Sequence, residues 1–547
     1  MKKHRIAWIA GLAVAAMAIT GCSANSGGGS GDGTAAEGGT LSYLEPQTWN
    51  TLYPPAGGFY PNGGVLNQVT DRLLFQNPET LELEPWIASE LPEVNADATE
   101  YTFKLRDGVT YSDGTPLDAE NVVKNFDLYG KGDTDRALSI SEAINNYDHG
   151  EVVDDHTVKF FFSAPSPGFA QATSTINSGL LSNDTLDRTN EEFGPGNAAD
   201  IVGSGPFVIS DEQIGKETDL TVRKDYDWAP KSREHQGRAH LDEINIIVAA
   251  ESSVRVGTVT SGQAQIARAI PAPDEAQFTG DNLALVDAAT NGVNNSLSFR
   301  FGQGPLADIK VRQAIIAGID RDAIVSTLFT DNYPLATGIL AKSALGYTDT
   351  SKFYKYDADQ AKKLLDDAGW KPGSDGVREK DGERLSITFN EALPQPRSKE
   401  VVTLIQEQLA KLGVEVKLFP GDQAAQDEAR LDADTIQVYH SMVGRADFDV
   451  LKSQFYSTNR NANLNLDAKT GKIADPELDA DLLEIASVPT ADERAAASAK
   501  AQQRLAEQAY VLPLFEEPQV FGLQASVQGF TTESIGRPSF YDVQLSK

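Results

Sequence analysis

The sequence predicts an α/β protein of two or three domains, and three observations carry that expectation. Strand-like runs of period 2 alternate with helical stripes along the body. Residues 385–418 read as one complete βαβ unit. The body from Thr40 onward is too long for a single apolar core, and with one cysteine in the whole chain no internal disulfide can help to hold it.

In chain order, the first element is a leader. Lys2, Lys3 and Arg5 precede an apolar run from Ile6 to Ile19 and a small-residue step, Thr20-Gly21; the run is too short to cross about 30 Å of hydrocarbon. Ile19-Thr20-Gly21-Cys22 resembles the bacterial lipobox, so residues 1–21 are expected to be a lipoprotein signal peptide and Cys22 the lipidated new N-terminus. Residues 22–39 follow as the lipidated Cys and a Gly/Ser-rich flexible linker. No later stretch is apolar enough to span a bilayer. The body should therefore sit at the outer face of the cell membrane, held by its lipid.

Within the body, Tyr101-Thr-Phe-Lys-Leu-Arg alternates at period 2, and Arg106-Asp-Gly reads as a turn into Val109-Thr-Tyr-Ser, giving a hairpin. Asp118 should cap a helix with Val122, Val123 and Phe126 on one face. Gly203-Ser-Gly-Pro-Phe has the composition of a tight turn entering a strand. Val311-Arg-Gln-Ala opens a helix whose stripe is Val311, Ala314, Ile315 and Gly318. Asp357 should cap a helix carrying Ala361, Leu364, Leu365 and Ala368, stopped by Gly369. In the βαβ unit, Leu385, Ile387 and Phe389 form a strand, Val401 to Leu412 a helical stripe, Gly413 a stop, and Val414, Val416 and Leu418 the second strand.

The charge balance excludes one class of partner. With 79 acidic against 47 basic residues and a net charge of −32, the chain repels nucleic acid, and loss of the leader's three cations makes it more acidic still. Enzyme signatures are equally scarce. Lys469-Thr-Gly stands without any Ser-x-x-Lys, and there is no G-x-S-x-G, Walker A or H-E-x-x-H. His235 and His240 read as solvated loop residues, and the acid pairs Asp432/Asp434 and Asp479/Asp481 as solvated helix faces without the glycine of a calcium loop. Neither catalysis nor a cofactor nor a metal site is expected.

Seven segments, in order, are similar to the peptide, opine and nickel family (family 5) of extracellular solute-binding proteins that serve ABC importers. They are Asp71-Arg-Leu-Leu-Phe, Glu84-Pro-Trp-Ile-Ala-Ser-Glu, the run from Tyr101 to Val122, Gly203-Ser-Gly-Pro-Phe, the run from Pro305 to Ile315, Tyr356 to Leu365, and Ile405 to Val414. The resemblance implies a two-lobed α/β fold of the periplasmic-binding-protein type (type II, large peptide-binding subclass), with a hinged cleft. One lobe would take residues 40–292 plus 511–547, the other residues 293–510, with crossing strands as the hinge. It also implies the function: capture of a small solute, a peptide or peptide-like molecule, and its delivery to permease subunits driven by a cytoplasmic ATPase. A non-peptide solute (metal chelate, opine or glycoside) and a receptor for a signalling peptide are the alternatives.

The resemblance also suggests where the ligand sits. Dipeptide- and oligopeptide-binding relatives carry a Trp and an acid that pairs with the peptide α-ammonium, then an Asp-Pro-Asp-like turn; the corresponding stretch is His440 to Leu451. With Asp447-Phe-Asp449 as that turn, the acid falls at Gly444 and the Trp at Ser441, and both groups are missing; a shift of one to three residues makes Asp447 the acid. Arg445 can fork to a carboxylate or pair with a surface acid. Arg397, in the loop after the first strand of the βαβ unit, lies near the relatives' carboxylate-binding Arg. Tyr43, Trp49, Tyr53, Phe59 and Tyr60 are either core or a cleft wall, with Tyr43 and Trp49 carried as ligand contacts.

Overall fold

The computed structural model describes residues 35–546 except 394, 459–462 and 468; the leader and Cys22 lie outside the described residues. The end of the expected linker is not free. Ala35–Ala36 pairs antiparallel with Leu545 and Ser546, so the first described residues are fastened to the last strand. Among the described residues no helix is long and apolar enough to cross a membrane.

Two mixed sheets organise the body. The seven-stranded sheet runs Leu283–Ala288, Gln519–Gln524, Ile266–Arg268, Thr40–Glu45, Glu243–Val248, Glu217–Val222, Phe207–Gln213. The five-stranded sheet runs Glu415–Leu418, Ser386–Phe389, Val438–Gly444, Gly292–Phe299, Val511–Phe515. The chain passes between them twice, across residues 289–291 and across 516–518. The strand Val511–Phe515, expected with the first lobe, is therefore paired in the second sheet, antiparallel to Gly292–Phe299. Beneath the crossing one apolar core is shared: Leu44, Val259 and Phe278 pack in the same cluster as Leu297, Phe299 and Phe515.

Local signals formed as the residues dictate. The Asp118 carboxylate accepts from the Asn121 N–H at 2.9 Å and starts the helix Ala119–Lys131, which buries Val122 and Phe126. Asp357 does the same for Ala358–Asp367, accepting from Gln360 N–H at 2.8 Å. Ser386–Phe389 and Glu415–Leu418 pair in parallel through the helix Ser398–Ala410, as a βαβ unit requires.

The expected hairpin at 101–112 did not form. Glu100–Lys104 instead pairs antiparallel with the distant Thr157–Phe162, setting buried Tyr101 and Phe103 opposite buried Phe160 and Val158. Residues 109–117 close a small turn of their own, with Thr110 bridged to Pro116. Gly203 and Gly205 are needed for space rather than for a turn: a Cβ on Gly203 would lie 1.9 Å from the Val69 carbonyl oxygen.

Two further expectations are corrected. Asp479 and Asp481 are buried, not solvated: Asp479 accepts from the Ser457 N–H at 3.1 Å and Asn465 Nδ2 at 2.8 Å, and Asp481 meets Lys500 at 3.0 Å. His235 is packed, stacked on Tyr541 with ring centres 4.3 Å apart and bonded through Nδ1 to Asp542 at 2.9 Å.

Candidate functional site

A cleft of about 560 Å³ opens between segments of residues 55–177 and elements of the five-stranded sheet. From the first side come Pro55–Ala56 and Gly58–Phe59, Gln76, Glu142-Ala143 and Ser174–Asn177. The second side supplies the loop Asn390–Leu393, the face of Gln423–Arg430, and the strand Val438–Gly444 running on into Arg445-Ala446-Asp447. The C-terminal segment, through Glu533, Ser534, Ile535 and Arg537, closes the wall between them.

Among the described residues, five carboxylates line it (Glu142, Glu391, Asp427, Asp447, Glu533) and three guanidiniums (Arg430, Arg445, Arg537). Arg445 Nη2 meets Asp447 Oδ2 at 2.8 Å, and Nε donates to the same oxygen at 2.9 Å. The other oxygen, Oδ1, is buried without a hydrogen-bond partner among the described residues. Arg537 is 3 % exposed, pairs with Glu533 at 2.6 Å and donates to the carbonyls of Gly57 and Gly58 at 3.2 and 2.9 Å. It fixes the loop that presents Phe59.

Under the cleft floor runs a buried chain of hydrogen bonds. Ser398 Oγ lies 2.9 Å from His440 Nδ1, His440 Nε2 lies 2.7 Å from Asn295 Oδ1, and Asn295 Nδ2 donates to Glu517 Oε2 at 2.8 Å. Because the Asn295 amide spends its N–H on a carboxylate, its oxygen must accept. His440 then carries its proton on Nε2, and Nδ1 accepts from Ser398. Burial holds the imidazole neutral, pushing its pKa down to about 4. Burial likewise pushes Glu517 up to about 7, against the lowering effect of the Asn295 bond.

Of the residues expected from sequence, Arg445 and Asp447 are brought together on the cleft wall. Tyr43 and Trp49 are not at the cleft: Tyr43 is 2 % exposed and bonds to Glu45 at 2.8 Å, and Trp49 is 4 % exposed with Nε1 on Thr218 Oγ1 at 3.0 Å, both within the first core. Their aromatic neighbours divide in the same way: Tyr53 is core, whereas Phe59 lines the cleft. Arg397 also stands apart. It takes a left-handed φ of 60° before the helix Ser398–Ala410 and donates to the Leu328 carbonyl at 2.7 Å. Gln76, Gln426, Glu533 and Arg537 were not anticipated as site residues, since each stands in a segment with no local motif; His440 opens the stretch that the resemblance singles out but is neither the Trp nor the acid expected there.

Comparison with known proteins agrees with this fold. The model of the family "Bacterial extracellular solute-binding proteins, family 5 Middle" matches residues 82–463. The glutathione-binding protein GsiB of Salmonella paratyphi A is 25% identical over 500 residues, covering 89% of this chain and 91% of that one. Among solved structures, the oligopeptide-binding protein AppA of Bacillus subtilis, in complex with a nonapeptide, superposes with a TM-score of 0.78 at 20% identity over 94% of this chain and 100% of its own. NikA of Brucella suis, in complex with Fe(III)-EDTA, gives 0.75 at 22% over 93% and 100%. The fold is accordingly the two-lobed α/β fold of periplasmic binding proteins. This chain belongs to family 5 of the bacterial extracellular solute-binding proteins, which are substrate-binding proteins and not enzymes.

Proposed function

We propose that this protein is the lipid-anchored, extracytoplasmic substrate-binding component of an ABC importer, that it takes a short peptide or peptide-like solute between its lobes, and that it delivers the solute to the membrane permease. The lobes would be residues 40–288 with 519–546, and residues 292–515, hinged at the two crossings. The observation that carries the ligand class is the buried Asp447 Oδ1, without a partner among the described residues, on the wall of a cleft of about 560 Å³, a volume within the roughly 300–1,000 Å³ usual for small-molecule sites. That oxygen suits a cationic donor, and Asp447 is the acid that would meet an α-ammonium held between the lobes. A buried ammonium without a counter-charge costs several kcal/mol. Relatives described as binding glutathione and a nonapeptide support the same class.

The test is calorimetric titration of a tripeptide library in free and N-acetylated forms. Asp447→Asn should weaken binding of free peptides by roughly two to three decades and leave acetylated ones nearly unchanged. Equal binding of both forms by the native chain would refute recognition of a free N-terminus. A second reading, a non-peptide solute such as a metal chelate, is favoured by one feature: Arg445 already occupies one oxygen of Asp447. Binding of a chelate with no peptide captured would decide for it.

A further inference from the structure

The loop Arg445–Asp449 does more than line the cleft. The Ala446 carbonyl oxygen accepts two hydrogen bonds from the first lobe, from Gln76 Nε2 at 3.0 Å and from Gln171 Nε2 at 2.8 Å. Gln76, Gln171 and Ala446 are each under 10 % exposed, so this contact is shielded from competing water. Gln76 is in turn held by Ser534, whose Oγ donates to Gln76 Oε1 at 2.7 Å. Three residues along the loop, Asp449 pairs with Arg494 at 2.6 Å, and both are buried.

Against that pair lies Gly168. A Cβ there would stand 2.4 Å from Asp449 Oδ2 and 3.4 Å from Arg494 Nη2. Its φ of −82° is open to any residue, so the glycine is needed for the approach of the two lobes and not for a backbone conformation. The neighbouring Phe169 is wedged among Tyr101, Phe103, Phe126, Phe160 and Phe162, with ring centres 4.6 to 6.2 Å away. Gly168 therefore cannot retreat to admit a side chain.

We propose that Ala446, with Gln76 and Gln171 on its carbonyl and Gly168 against Asp449–Arg494, is an interlobe latch, and that Gln76, Gln171 and Gly168 are positioning residues for closure. Every donor and acceptor in it is a protein group, so it biases the open and closed populations before any solute arrives. It is built into the loop that carries Arg445 and Asp447, one residue away on either side. A solute that engages those side chains orders the latch, and closing the latch fixes their positions. The inference rests on the two-lobed reading of the cleft and not on the identity of the solute.

The experiment uses the chain with Cys22→Ser and spin labels on cysteines introduced at exposed Val153 and Leu483, one in each lobe. Pulsed dipolar spectroscopy then reads the distribution of interlobe distances without ligand, and with reduced glutathione as a probe. The otherwise native chain should show a short-distance population. Gln171→Met, which keeps the volume, should reduce the closed-to-open ratio roughly fivefold, the worth of one hydrogen bond, and Gly168→Val should abolish the short distance while leaving the thermal midpoint within a few degrees. A short-distance population that survives both Gly168→Val and the Gln76→Met/Gln171→Met double variant overturns the latch, as does its absence from the native chain. Failure of glutathione to bind bears on the ligand class alone.

Discussion

Glu517→Gln should make the protein more stable, and increasingly so as pH rises. Glu517 lies in the second crossing, 6 % exposed, and accepts from Asn295 at 2.8 Å. Burial raises its pKa from 4.5 to about 7. The folded chain therefore binds this proton more tightly than the unfolded chain does. Below pH 4.5 both states are protonated and the site imposes no penalty; between pH 4.5 and 7 the unfolded state ionises first, and stability falls as pH rises. Above pH 7 the full penalty applies, about 3 kcal/mol for a shift of this size. Glutamine keeps an oxygen to accept from Asn295 and removes the charge. The unfolding midpoints of variant and native chain should coincide near pH 4.5, diverge in favour of the variant up to pH 7, and stay parallel to pH 8.5. Taking the difference between the two chains cancels other titrating groups, among them Asp71, which burial raises to about 6. A gap that is constant with pH, or that favours the native chain at pH 8, would refute the reasoning.

Three further outcomes follow from other sites. His440, neutral in the fold with its pKa lowered to about 4, contributes stability that is lost as pH falls from 6.5 through 4, so His440→Gln should flatten the acid limb of the same profile. Gly203→Ala should prevent accumulation of folded protein, since its Cβ would meet the Val69 carbonyl at 1.9 Å and backbone cannot give way as a side chain can; circular dichroism and soluble yield check it. Cys22→Ser should shift the protein from the detergent phase to the aqueous phase or leave its leader uncleaved, with the unfolding midpoint unchanged.

The parts of the fold that could be read in the sequence are those whose cause is local. Asp118 and Asp357 cap helices because a carboxylate reaches the N–H three residues on, whatever surrounds it. The βαβ unit follows from two apolar strands and one stripe within 34 residues of chain order, about the length of one such unit. Partner choice among strands is not local. Tyr101-Thr-Phe-Lys carries the same alternation whichever strand it joins, and Thr157–Phe162 won because Phe160 and Val158 extend the aromatic core beneath it. The buried acids show the same limit. An Asp-x-Asp on a helix reads as solvated until Ser457, Asn465 and Lys500 are brought to it from other segments.

The cleft is the extreme case of this. Arg445 and Asp447 were legible because they are two residues apart and a resemblance pointed to their loop, whereas Tyr43 and Trp49 were placed by aromatic density, which marks a core as readily as a wall. Gln76, Gln171, Ser534 and Arg537 carry no signal that distinguishes them from any surface amide, hydroxyl or guanidinium. They acquire a role because the chain crosses between the sheets twice, and the second crossing returns the C-terminal segment to the wall that Gly57 and Gly58 begin. A substitution at one of them would look conservative in the sequence and yet leave a buried partner unsatisfied, costing roughly 1–3 kcal/mol. In the hinge motion proposed here, that is enough to change which of two arrangements prevails. The determinants of closure are therefore expected among dispersed polar residues of this kind rather than within the segments by which the family is recognised.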